Sequence, residues 1–467
     1  MTTFDLWSVM PLAILALGAL LILIIGAVRP GGHCTGLGVV ATLGAAVWTV
    51  VMPPIPASPT LGIVFGPFAR FFSTLFLLAA AVTLLLSHQY NRERRIQGEE
   101  YPATVLFAAF GMVTVSASTN LLTLFLGVEA MTFAFYILVA MDLNSTGSAE
   151  AGLKYLLLGA ISAACIAFGI ALLYAAAGTL DTREVARLTL GGGSDPLALA
   201  GWGLLLTGIA FKISLVPAHL WTPDVYQGAP TPVVAFLSTA SKGAAIAFLL
   251  LLLLGGDGFK ALHGPLWWLS LLSMVVGNLA ALLQSNVKRM LAYSSIAQMG
   301  YVVLALLTGT EDGFTAVIFY VVAYTAMNLA AFGAVAVLCR GEAGEEIGDL
   351  QGMGYGRPFP AAVLALAMFA LAGIPPTAGF IGKFFIFYSA FRGGEIPLAV
   401  IGILTAATSA FYYLRVVVNL YMHAAVSPGN GKISATESLA LAASAAAVFA
   451  IGIYPPPLLQ VIGKLIP

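Results

Sequence analysis

The chain has 467 residues, of which 60% are hydrophobic and only 9% charged, and its mean hydropathy is +0.98. An ordinary soluble domain carries about 25% charged residues; a soluble fold of this length could not hide so much apolar surface, whereas a bilayer can act as its solvent. Twenty basic and twenty acidic side chains cancel, so no basic excess points to nucleic acid.

A spanning helix needs about 20 apolar residues. Fourteen such segments follow one another, at roughly 7–28, 35–52, 68–87, 102–118, 119–141, 151–178, 201–221, 232–254, 265–284, 288–308, 313–339, 359–390, 396–422 and 435–460. The first lacks a basic leader and is too long for the core of a signal peptide, so it reads as a retained span. The least distinct boundary is Ser118-Thr119-Asn120, between the fourth and fifth spans. The longest polar connection, near 179–199, leaves no room for a sizeable soluble domain. The expected fold is an all-α polytopic membrane protein.

Lys and Arg placement sets the orientation. Odd-numbered loops hold Arg29, Arg92, Arg94, Arg95, Lys288, Arg289, Arg340, Arg357 and Lys432, while even-numbered loops hold Arg183, Arg187, Lys260 and Arg392. Odd loops are therefore expected in the cytoplasm and both termini outside. Cys34, Cys165 and Cys339 are far apart, which argues against a disulfide framework, an iron–sulfur cluster or a structural zinc site. The glycines at Gly36 and Gly38 imitate part of a dinucleotide fingerprint, but inside an apolar span with no βαβ context.

Four charges lie within apolar spans: Glu129 in the fifth, Lys212 in the seventh, Lys242 in the eighth and Lys383 in the twelfth. A charge at the centre of a membrane helix costs roughly 2.5–3.5 kcal/mol even on the lenient insertion scale. One structural reading is a buried ion pair. One carboxylate cannot neutralise three lysines on different helices, however, and a chain of buried groups that change charge state is a proton relay. Lys154, near the start of the sixth span, reads as a snorkelling or proton-uptake residue. Lys288 and Arg289 read as orientation charges.

Two spans should be broken. Pro217, followed by His219, removes a helical hydrogen bond and frees the carbonyl of Ile213; Pro375 and Pro376 free those of Leu371 and Ala372. Unpaired backbone at that depth is tolerated only beside protein or water. Each break lies within a few residues of a buried lysine, which favours a hydrated path over a simple kink. Tyr293, Ser295, Gln298, Tyr324 and Asn328 on the tenth and eleventh spans are ordinary interhelical glue taken singly, and together could hold water between Lys242 and Lys383. The broken helix is the fourth member of spans four to eight and again of spans nine to thirteen. The second break lies five helices after the first, the pattern of two inverted repeats. The expected organisation is helices one to three over 1–101, a first half over 102–254, a second half over 255–422 and a last helix over 423–467.

Three stretches carry a family resemblance: Phe211-Lys212-Ile213 through Trp221-Thr222-Pro223-Asp224-Val225-Tyr226 to Pro232; Ala292-Tyr293-Ser294-Ser295 to Tyr301; and Gly373-Ile374-Pro375-Pro376 to Lys383. The chain resembles the antiporter-like membrane subunits of respiratory complex I, over nearly its whole length and most weakly in its first hundred residues. The Trp-Thr-Pro-Asp-Val-Tyr run, with Lys242 soon after it, and a lysine rather than a glutamate at 383 favour the subunit N type. The resemblance implies that Glu129 and Lys212 form the carboxylate–lysine pair of a first half-channel, that Lys242 connects, and that Lys383 belongs to the second broken helix. It also implies partners: further antiporter-like and small membrane subunits, and a peripheral redox arm. NADH, FMN, iron–sulfur clusters and quinone would be used in those other subunits, with none bound here, and the setting would be a prokaryotic cell membrane.

Competing readings are a subunit of a multisubunit sodium/proton antiporter or membrane-bound hydrogenase, a stand-alone solute permease, and a structural spacer. The permease would need a pocket matched to a solute, and the spacer predicts that neutralising the buried lysines does little.

Overall fold

In lipid a backbone can satisfy its own polar groups only as a helix or a closed barrel, and these apolar runs take the helical solution. The computed structural model describes residues 3–28, 34–52, 62–96, 98–190, 195–253, 259–340, 344–424 and 433–465. The described residues are all-α, with isolated β-bridges and no strand.

The helices in order are α1 Thr3–Val28, α2 Thr35–Val51, α3 Pro67–Arg94, α4 Glu100–Ala117, α5 Leu121–Val139, α6 Thr146–Ala177, α7 Thr182–Leu190, α8 Pro196–Lys212, α9 Trp221–Gly228, α10 Thr231–Phe236, α11 Lys242–Leu253, α12 Phe259–Leu282, α13 Val287–Leu307, α14 Glu311–Leu338, α15 Met353–Gly356, α16 Pro358–Ala372, α17 Ala378–Arg392, α18 Ile396–Met422, α19 Ala435–Ile453 and α20 Pro456–Ile462. Among the described residues, eleven helices are long and apolar enough to cross a membrane, and α2, α8 and α16 are shorter apolar helices. Together they stand where the fourteen apolar segments are expected. Two of the short ones, α8 and α16, are short because a proline-bearing break ends them.

Three elements differ from the sequence reading. The connection near 179–199 contains α7, which buries Thr182, Val185 and Ala186. Asp181 starts it by accepting from the backbone N–H of Arg183 and Glu184, both at 3.0 Å. The third segment runs on through its charged end to Arg94. The last is interrupted at Tyr454, beside the proline pair that opens α20.

The chain divides into two compact units. One comprises 1–84, 96–213 and 240–264, and the other 85–95, 214–239 and 265–467. In the first, α4 is the core helix and packs on α1, α2 and α5, while α6 packs on α8. Gly111 lets α4 and α5 touch: a Cβ there would lie 2.4 Å from the backbone nitrogen of Met131, the close approach that small residues permit between membrane helices. In the second, α14 is the core helix, packed by α10, α13, α16, α17 and α19.

Candidate functional site

Pro217 decides where α8 ends. A proline in a continuing helix would clash with the carbonyl four residues back, at Ile213, and the helix stops one residue earlier, at Lys212. Residues 213–220 form turns, with Ser214 in the left-handed region at φ 63°. The hydroxyl of Thr222 donates to that of Ser214 at 2.7 Å. His219 lies in this break, half-buried. The lysine is thus the last residue of a half-helix, and its long side chain is free to reach sideways. It reaches α5: Nζ lies 3.6 Å from Oε1 of Glu129 and donates to Oγ1 of Thr132 at 2.7 Å. Both charged side chains are buried, 4% and 12% exposed for Lys212 and Glu129, so solvent screens their interaction little. Thr132 follows Glu129 by three residues on one helix face, the signal by which its role could have been read.

Lys242 is the first residue of α11 and is buried. The helix arrives at it through a π turn, Leu237–Ser241, an irregularity that occurs frequently at functional sites. α11 packs against α4 and α8 within the first unit. Lys154 stands apart from these groups. It is 41% exposed and paired with Glu150 at 2.7 Å, one turn earlier on α6.

In the second unit Pro375 and Pro376 separate α16 from α17. Gly373, at φ 89°, ends α16. Lys383 turns back from α17 to the exposed end of α16, where Nζ donates to the carbonyls of Leu371 at 2.7 Å and Ala372 at 3.2 Å. Its ammonium also lies 5.6 Å from the centre of the Tyr301 ring. Gln298 donates to the same Leu371 carbonyl at 3.4 Å and to Tyr413 at 3.1 Å, and accepts from Tyr320. Ser294 bonds Tyr413, and Tyr324 donates to Ser295 at 2.6 Å. A second strand of bonds joins Tyr412 to Asn278 and Asn278 to Tyr301, each at 2.9 Å. Gln298 therefore belongs to the buried polar cluster around Lys383, and the Tyr324–Ser295 pair stands beside it, the Tyr324 ring stacked on that of Tyr320 with centroids 6.3 Å apart. Asn328 bonds back to the Tyr324 carbonyl at 3.1 Å within its own helix, and half-buried Tyr293 does not join the set. Tyr412, Tyr413 and Asn278 complete it without having been singled out in the sequence.

Among the described residues no group of three or more His, Cys, Asp or Glu side chains comes together as a metal site. The buried Cys34 thiol is pushed up from its ordinary value by burial and by the Glu99 carboxylate, the opposite of a reactive thiolate.

Residues 118–409, which contain Glu129, Lys212, Lys242 and Lys383, match the family described as NADH:quinone oxidoreductase/Mrp antiporter, TM. The NADH-quinone oxidoreductase subunit N of Geotalea uraniireducens (strain Rf4) is 73% identical, with 100% of both chains covered. The chain belongs to the subunit N family. A chain of respiratory complex I from Thermus thermophilus has the same fold, with 33% identity, a TM-score of 0.81 and coverage of 97% of this chain and 99% of that one. A chain of the membrane-bound sulfane sulfur reductase, an archaeal respiratory membrane complex, is also similar, at 26% identity and a TM-score of 0.89 over 99% and 97% of the two chains.

The run used above to distinguish the subunit N type has a structural task here. Asp224 of that run and Gln227 just after it hold Arg289, at 2.6 Å and 3.1 Å, and so tie α9 to the start of α13. Lys288 beside it is buried. It pairs with Glu345 at 2.7 Å and donates to the Ala229 carbonyl at 3.2 Å. These two residues, read from the sequence as orientation charges, are both engaged in specific pairs.

Proposed function

We propose that this subunit N family member is the proton-translocating membrane subunit of a bacterial NADH:quinone oxidoreductase, with Glu129, Lys212, Lys242 and Lys383 as its relay. NADH oxidation and quinone reduction take place in partner subunits that carry FMN, iron–sulfur clusters and the quinone site. The chain works beside other antiporter-like and small membrane subunits and a peripheral redox arm. The observation that carries the reading is the buried Glu129–Lys212 pair at 3.6 Å. A charge is expensive in a membrane helix and is functional by default, and this pair is loose enough to open.

While Glu129 is near, its negative charge holds Lys212 protonated. When the carboxylate moves away that stabilisation is lost, and the proton passes through water towards Lys242 and onward. In this reading the fourteen apolar segments all cross the bilayer, odd-numbered loops face the cytoplasm and both termini lie outside. The stretches 102–254 and 255–422 are inverted halves, each with one broken helix. Lys383 follows the second break in the outward half and acts as the terminal donor.

The test is Lys212→Ala and Glu129→Ala in the assembled complex, with proton uptake into sealed vesicles measured beside electron-transfer rate. Both variants should assemble and lose pumping. Normal pumping by an assembled Lys212→Ala, Lys242→Ala double variant would leave the scaffold reading in its place. The likeness to the sulfane sulfur reductase chain keeps one alternative open, a complex of the same architecture fed by a different electron donor. Identifying the subunits that co-purify with the native chain separates the two.

A further inference from the structure

One buried polar atom of α5 has neither a hydrogen-bond nor an ion-pair partner, the hydroxyl of Tyr136; Oε1 of Glu129, seven residues before it, makes no hydrogen bond but is the atom paired with Lys212. A buried hydroxyl left unmade costs about 1–3 kcal/mol, so its place on the same helix as the carboxylate of that pair asks for a reason. Positions 129, 132 and 136 share a face at i, i+3 and i+7. Tyr136 therefore lies on the side that carries the Glu129–Thr132–Lys212 contacts, and it is only 8% exposed.

The position of its hydroxyl follows from the packing of α6. α5 and α6 run antiparallel: the Ser148 hydroxyl donates to the Val139 carbonyl at 2.6 Å, and a Cβ on Gly152 would meet the Cβ of Ala140 at 2.5 Å. Gly159 lies two turns further along α6 and so faces α5 about two turns before Ala140, near Phe133. A Cβ on Gly159 would fall 2.1 Å from the Tyr136 hydroxyl. That hydroxyl accordingly sits about one turn back from its own Cα, as long helical side chains do, and about one turn, roughly 5.4 Å of rise, from the level of Glu129. The Tyr136 ring meets that of Tyr155 edge-on with centroids 5.0 Å apart. Tyr155 adjoins Lys154, whose pair with Glu150 is exposed at this end of α6.

We infer that Tyr136 is a proton-transfer residue that connects the Glu150–Lys154 end of α6 to Glu129. Its hydroxyl passes its proton to water beside Glu129 and accepts another from water on the Lys154 side, so it carries a proton without a net change of charge. The absence of a Cβ at Gly159 leaves the space in which the hydroxyl stands. This step rests on the relay proposed above and adds the group through which that relay is loaded.

Tyr136→Phe removes one oxygen atom that bonds nothing, and the ring keeps its contacts with Tyr155. In the full complex it should assemble and resist heat like the parent. Proton uptake and coupled turnover should fall at least about ten-fold, less than the roughly 100-fold that loss of a positioned proton donor can cost. The remaining rate should rise as pH falls, because delivery then depends on bulk protons, and should show an enlarged solvent deuterium isotope effect. A purely packing role predicts parental rates and an unchanged pH profile, and that result would overturn the inference. Failure to assemble would make the hydroxyl structural and would overturn it equally. Lys212→Ala, measured in parallel, separates the two levels: if it pumps normally the relay itself is wrong, and if it is inactive while Tyr136→Phe is normal only the role of Tyr136 is wrong.

Discussion

The ammonium of Lys383 lies 2.7 Å from the carbonyl of Leu371, one of the two carbonyls that the Pro375-Pro376 pair leaves without a helical partner. The other, Ala372, is 3.2 Å from the same nitrogen. Lys383 is therefore the cap of α16, a cation set on the negative end of a half-helix. Lys212 has a different role at the first break. It is itself the end of α8 and bonds to a hydroxyl and a carboxylate on α5. The two lysines accompany similar breaks but do different structural work, and their substitutions should differ accordingly.

Lys383→Ala should leave the Ala372 carbonyl unmade and the Leu371 carbonyl with only its longer bond from Gln298, at a cost of about 1–3 kcal/mol for the stranded group, and should lower the thermal stability of the complex as well as abolish pumping. Lys383→Gln keeps two N–H donors but carries no exchangeable charge. It should recover most of the stability and none of the pumping. Thermal unfolding of the solubilised complex, set beside vesicle proton uptake, reads both. Stability unchanged in Lys383→Ala would remove the capping role.

Thr132→Val deletes the hydroxyl that accepts from Lys212 and keeps the shape of the side chain. A hydrogen bond to a charged group contributes about 1.5–3 kcal/mol, so coupled turnover should fall by about ten-fold or more. Thr132→Ser should restore it. Equal activity in the valine and serine variants would mean that Glu129 alone positions the lysine.

How far the sequence could be read depended on whether the cause was local. Pro217 and Pro375 announce broken helices because the clash is with a carbonyl four residues away in the same segment. Glu129 and the three lysines announce themselves by the cost of charge in an apolar span. Tyr412, Tyr413 and Asn278 did not, because aromatic and amide side chains are common glue and their partners lie far along the chain. α7 was hidden in a polar connection, and its capping Asp181 is the one local sign of it. The partners of Lys288 and Arg289 are distant in the chain, Glu345 in a loop and Asp224 in the short helix α9, so their positive charge alone suggested orientation.

Those two pairs should respond unequally. Lys288 and Glu345 are 4% and 21% exposed, whereas Arg289 and Asp224 are 31% and 33% exposed. Removing one partner of a buried pair strands the other charge, so Glu345→Gln should destabilise the complex by about 1–3 kcal/mol. Asp224→Asn should cost under about 1 kcal/mol, since solvent and salt screen a half-exposed pair. Melting curves at low and high salt distinguish them, and only the Asp224 effect should shrink markedly with salt. The reverse order would mean that the Trp221–Gly228 segment is held mainly through Arg289.

Gly373 couples the break to the lysine. Its φ of 89° belongs to the left-handed side that other residues rarely adopt, and a Cβ there would lie 3.1 Å from Cδ of Lys383. Gly373→Ala thus meets two penalties, a backbone cost of roughly 1–2 kcal/mol and crowding of the lysine that caps α16. Asparagine visits left-handed backbone more readily than alanine but presents the same Cβ to Lys383. If backbone strain dominates, Gly373→Asn should regain both stability and pumping. If displacement of the lysine dominates, Gly373→Asn should regain stability while pumping stays low. The tight contact with Cδ favours the second outcome, with pumping in both variants falling towards that of Lys383→Gln. Normal pumping in an assembled Gly373→Ala variant would show that Lys383 can shift without loss of function.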